Sequence, residues 1–155
     1  MVRLVAIAPL ILLAGCMTIA ATSPAPQLAG IGEIRLGLTE MDGVPPAVQE
    51  MVFEEVERAA SLRGIPFNSG PATLAITGYL TLVAGASGTL AIYVFDFTGS
   101  ADASGERLLR VGGQVPTVEA AADPWDAIDR NLVIRMVGHL FQEFEAWLAA
   151  NAVGA

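Results

Sequence analysis

Few side chains in this chain could carry chemistry, and their spacing restricts what that chemistry could be. There is one cysteine, Cys16, and one histidine, His139. A zinc site of the usual His/Cys kind and a Ser-His-Asp triad are therefore both short of partners. Arg135, His139 and Glu143 recur at i, i+4 and i+8, which puts them on one stripe of a helix. Such a stripe could sense protons, although a solvated polar stripe is the commoner use of that pattern. Asp96 falls in an apolar alternation near a strand end, where an edge position or a pairing with Arg107 or Arg110 is the expected role. Gly85-Ala86-Ser87-Gly88 lacks the Gly-x-Ser-x-Gly form of a hydrolase elbow. Glu54-Glu55 reads as surface, and Asp123, Asp126 and Asp129 read as compensation of a helix dipole. The chain has no lysine, which excludes a Schiff-base lysine and a Walker-type phosphate loop. With a net charge of -8, that also argues against nucleic acid as a partner. No enzyme, no metal and no dissociable cofactor are expected.

Cys16 has the most informative surroundings. Arg3 is followed by an apolar run from Leu4 to Ala14, closed by Leu13-Ala14-Gly15-Cys16. Positive start, apolar middle and small residues at the end are the layout of a secretory signal. Pro9 interrupts the run, which is also shorter than the roughly 20 residues of a membrane-spanning helix. Leu13-Ala14-Gly15-Cys16 resembles the lipobox of bacterial lipoproteins. That resemblance implies recognition of Leu13, Ala14 and Gly15 by a signal peptidase, cleavage before Cys16, and covalent lipid (palmitate) on Cys16. Cleavage would leave 155 − 15 = 140 residues with 7 basic and 16 acidic side chains, formally −9. So acidic a chain has little electrostatic hold on anionic lipid, and three acyl chains exceed the two signals that stable anchoring needs. Acylation would consume the only thiol and exclude a disulfide. Met17 and Thr18 follow, without the aspartate that the enterobacterial sorting rule associates with inner-membrane retention. The expected location is the periplasmic face of the outer membrane, by lipid anchor.

These residues need a scaffold. Residues 1–15 read as a lipoprotein signal peptide, 16–29 as a lipidated cysteine and flexible tether, 30–150 as one periplasmic α/β domain, and 151–155 as a frayed C-terminus. Pro24 and Pro26 among small polar residues keep the tether extended. Alternation from Ile31 to Thr39, with Ile34, Leu36 and Leu38 on one side, predicts a first strand. Pro45-Pro46 opens a helix that runs to Arg63 and stops at Gly64. Its buried stripe is Val48, Val52, Val56 and Ala59, flanked by Met51 and Leu62, and Glu54 is spaced to pair with Arg58. Strands follow over 72–83, 89–98 and 107–115, the first two joined by the five residues 84–88. Asp123-Pro124 reads as the cap and first turn of a final helix reaching about Ala150.

The predicted fold class is α+β, in the order β-α-β-β-β-α, with two helices packed on one face of a four-stranded, largely antiparallel sheet. The first long strand offers Leu74, Ile76, Leu80 and Leu82 on one side, and its partner offers Leu90, Ile92 and Val94. If these aliphatic faces pack under the helices, Tyr79, Tyr93, Phe95 and Phe97 lie on the opposite face as a partner-binding surface. Together the lipobox, tether, element order and final helix look like small Gram-negative lipoproteins. The layout resembles the lipopolysaccharide-assembly lipoprotein and TolB-type and penicillin-binding-protein-activator α/β domains. This implies a membrane-anchored, non-enzymatic assembly or interaction subunit with an envelope-protein partner. A periplasmic binding module for a small apolar or lipidic ligand is the alternative.

Overall fold

The computed structural model describes residues 27–28, 32–39, 41–68, 71–85, 88–99, 106–117 and 122–152. Leu13 to Cys16 and the tether as far as residue 26 lie outside them. Two short strands, β1 (Gln27–Leu28) and β2 (Gly32–Glu33), pair antiparallel and lead into β3 (Leu36–Leu38). Helix α1 (Pro46–Ser61) follows, then β4 (Leu74–Gly85), β5 (Gly88–Gly99) and β6 (Arg107–Pro116). A 3-10 turn (Pro124–Ala127) precedes helix α2 (Arg130–Asn151). The main sheet is ordered β3-β4-β5-β6, with β3 parallel to β4 and the remaining pairs antiparallel. This is the expected α+β layout, with the single parallel pair that a β-α-β start requires.

The hairpin is where the structure departs furthest from the sequence-based expectation. Its register pairs Gly85 with Gly88, leaving two residues in the link rather than five. Leu80 therefore lies beside Tyr93, Gly78 beside Phe95 and Ile76 beside Phe97, so these share one face. That face is the core: Leu74, Ile76, Phe95 and Phe97 have no exposed surface, and Tyr93 is 3% exposed. The predicted partner surface is thus overturned for Tyr93, Phe95 and Phe97, and only Tyr79 is on the outside. Counting five link residues pairs even positions with even ones. Counting two pairs even with odd, and that one-residue change moves a whole strand's side chains to the other face. Volume agrees with the result. The Phe97 ring stacks on Phe144 of α2 at 4.7 Å between centroids, and Phe144 meets Phe141 edge-on.

Both helices lie on this face, with α2 across β6 and against α1. Val48, Val52, Val56, Ala59 and Ala60 bury the α1 stripe, whereas Leu62 is 71% exposed and not part of it. Gly64, at φ +67°, closes α1: Gly64 N–H donates to Ser61 and Ile65 N–H to Ala60. Pro45 offers no side-chain cap, and Gln49 reaches back instead, accepting from Met41 N–H and donating to the Val44 carbonyl. Asp123 caps only the 3-10 turn, through Trp125 N–H. The chain is extended at Ile128 and Asp129, and Asp129 then caps α2 by accepting from Leu132 N–H at 2.7 Å. The final helix is consequently 22 residues, shorter than expected.

Candidate functional site

With the helices on one face, the other face of the sheet has no layer over it among the described residues. Register lays it out in rungs. Thr77, Asp96 and Arg110 form the first, and Tyr79, Val94 and Gly112 the second. Thr81, Ile92 and Gln114, then Val83, Leu90 and Pro116, complete it toward the hairpin tip. Tyr79 is 50% exposed, Val83 44% and Ile92 38%, with Leu90 and Val94 half-buried between them. The exposed surface therefore carries an aliphatic strip of Val83, Leu90, Ile92 and Val94, bordered by the polar Thr77, Thr81, Arg110 and Gln114. One signal in the sequence pointed to it: no charged residue occurs between Arg63 and Asp96.

The polar rung is a tight ion pair. Arg110 donates from Nε and Nη2 to the two Asp96 carboxylate oxygens, at 2.7 and 2.6 Å, and Arg107 stands 3.9 Å away. Asp96 is buried and the guanidinium is half-exposed. The bidentate hydrogen bonds to Arg110 hold the Asp96 carboxyl below its usual range, although burial pushes it the other way. This is the pairing expected from the sequence, and it engages both carboxylate oxygens.

The Arg135, His139 and Glu143 stripe is also real, but it points partly inward. The buried Tyr93 side chain crosses Gly113 of β6, where a Cβ would come within 2.7 Å of its Cζ. Its hydroxyl then lies 2.8 Å from His139 Nδ1. Burial raises the phenol's pKa and keeps it protonated, able to donate to the ring nitrogen or accept from it, while His139 Nε2 lies 3.7 Å from Glu143 Oε1. The link joins sheet to helix.

Other acidic residues are structural. Glu55 is 3% exposed rather than on the surface, and accepts from Arg58 Nε at 2.9 Å. Glu54, expected to pair with Arg58, instead binds Arg130 of α2 at 2.6 Å. Arg63 bonds Glu145 at 2.6 Å, so two ion pairs tie the helices together. Two solvent-open grooves flank the edge-on Phe53–Phe67 pair: one of about 280 Å³ by Leu38, Met41 and Gln49, the other of about 330 Å³ by Ser61 and Ile65. No cluster of metal-ligating side chains occurs among the described residues. No described helix is long and apolar enough to cross a membrane.

The chain matches no protein-family model and, by sequence, no curated protein. Its fold is similar to that of solved structures. A hypothetical protein of Chlamydia trachomatis is 9% identical, aligned over 77% of this chain and 100% of that one, with a TM-score of 0.52. A DUF330 protein of Xanthomonas campestris is 10% identical over 75% and 84%, at 0.49. A minor lipoprotein of Acinetobacter baumannii is 14% identical over 72% and 92%, at 0.39. At these identities the likeness is one of fold.

Proposed function

We propose that the chain is an envelope lipoprotein, anchored through Cys16 to the periplasmic face of the outer membrane, whose domain serves as a non-enzymatic assembly or interaction subunit. Leu13-Ala14-Gly15-Cys16 at the end of an apolar run carries this reading. The domain supports it through what its core contains. Phe95, Phe97, Phe141 and Phe144 fill the space between sheet and helices where an apolar ligand would otherwise sit. That favours an interaction subunit over a lipid-carrying module. Glu54, Glu55, Asp96 and Glu145 sit in ion pairs and His139 in a sheet-to-helix link, which supports structural rather than catalytic roles for them.

Metabolic labelling with palmitate tests the anchor. The wild-type chain should carry label and have Cys16 as its mature N-terminal residue, whereas Cys16→Ser should carry none and escape lipoprotein-specific cleavage. Equal labelling of the two would refute the reading. Density fractionation of membranes decides the location, and recovery with the inner membrane would remove the outer-membrane assignment.

A further inference from the structure

We propose that the outer face of the β4–β5 hairpin seats on the bilayer that holds the Cys16 lipid, so that the helices face the aqueous compartment; this rests on the anchor reading above. The face has the chemistry of a lipid surface. Val83, Leu90, Ile92 and Val94 lie side by side toward the tip, flanked by the uncharged Thr81 and Gln114, and the charged rung with Asp96, Arg107 and Arg110 is at the other end. Tyr79 stands between them, half-exposed. A phenol at the boundary between polar and aliphatic surface suits the headgroup level, where one end of the ring is wet.

Charge gives the same orientation. The outer face carries two arginines against one aspartate, in a chain whose net charge is -8. The exposed helical layer carries Glu50, Glu54, Glu57, Glu143 and Glu145 against Arg58, Arg130 and Arg135, with Arg63 half-buried beside them, so it is net negative. An anionic headgroup layer therefore repels the helices and tolerates the sheet.

Chain length permits the contact. From Cys16 to Gln27 is eleven residues, at most about 36–40 Å when fully extended. Gln27 pairs with Glu33, just before β3, which lies beside the base of β4. The twelve-residue hairpin strands span about 40 Å at ~3.4 Å per residue. A domain tethered at the hairpin base can thus lay the whole hairpin on the membrane. The anchor keeps the local concentration high, so a weak apolar contact is enough to orient the domain.

The test uses the full acylated chain in vesicles of phosphatidylethanolamine and phosphatidylglycerol. Ile92→Cys on the hairpin and Gln142→Cys on the helical layer are each labelled with a bimane fluorophore, with spin-labelled phospholipid in the bilayer. Seating predicts several-fold stronger quenching at position 92 than at position 142. Equal quenching at both overturns it, as does an unquenched label at 92 together with 92-to-92 disulfide cross-linking of the unlabelled Ile92→Cys protein under added oxidant, which would show a second copy on the face. If Ile92→Cys fails to fold, Val83→Cys takes its place with the same criterion. Absence of palmitate on Cys16 overturns the anchor reading; palmitate with no difference in quenching overturns the seating alone.

Discussion

At the scale of the residue, Asp96 and Gly113 make the sharpest predictions. Asp96 has a folded-state pKa lowered by Arg110. Its contribution to stability is present above its unfolded value of about 3.9 and is lost as pH falls through the lower folded value. Asp96→Asn should cost about 1–3 kcal/mol at pH 7, the scale of a buried charged hydrogen bond. Urea unfolding of the two proteins should converge as the medium is acidified below about pH 4; a gap independent of pH would show that the pair is not the cause. Gly113→Ala should cost about 1–3 kcal/mol by driving a methyl into the Tyr93 ring. Combining it with Tyr93→Leu, which removes the ring, should give a double mutant less damaged than the sum of the two. Strict additivity would mean that the ring is displaced without cost.

At the scale of the element, caps and faces decide. Asp129 begins α2, and Asp123 serves only a four-residue 3-10 turn. Asp129→Ala should therefore lose about 0.5–2 kcal/mol, whereas Asp123→Ala should lose little. A larger loss at Asp123 would mean that the helix starts one turn earlier, as the Asp-Pro pattern first suggested. On β5, Phe95→Ala should cost about 3–5 kcal/mol and Ile92→Ser under about 1 kcal/mol. Thermal or urea midpoints read this directly, and the reverse order would restore the aromatic rings to the surface.

At the scale of the whole molecule, the proposed anchor at Cys16 is expected to be separable from the folded domain. Among the described residues the core runs from Ile34 to Leu148. Cys16→Ser should accordingly leave the urea midpoint unchanged while moving the protein from the membrane fraction to the aqueous one. A midpoint shift worth more than about 1 kcal/mol would show that the N-terminal segment packs on the domain. The division of labour also places surface charge. The acidic helical layer is tied by the Arg130–Glu54 and Arg63–Glu145 pairs and remains open to water.

Sequence alone determined the kinds and order of the elements, because those signals are local. Alternation in β3 to β6, Pro45-Pro46 before α1 and Gly64 after it all act within a few residues. The pairing of Asp96 with Arg110 was legible too, since both lie on neighbouring strands of one hairpin. Which face of β5 is inside was not, because Leu90, Ile92 and Val94 on one side and Ala91, Tyr93, Phe95 and Phe97 on the other make most of the strand apolar on both sides. Such a strand satisfies the period-2 rule in either orientation. The choice fell to the two-residue link between Gly85 and Gly88 and to the volume that Phe144 leaves over the sheet. Glu54, Glu55 and Asp129 follow the same logic. Their partners or burial depend on where a second helix lies and where it begins, and only the tertiary structure decided that.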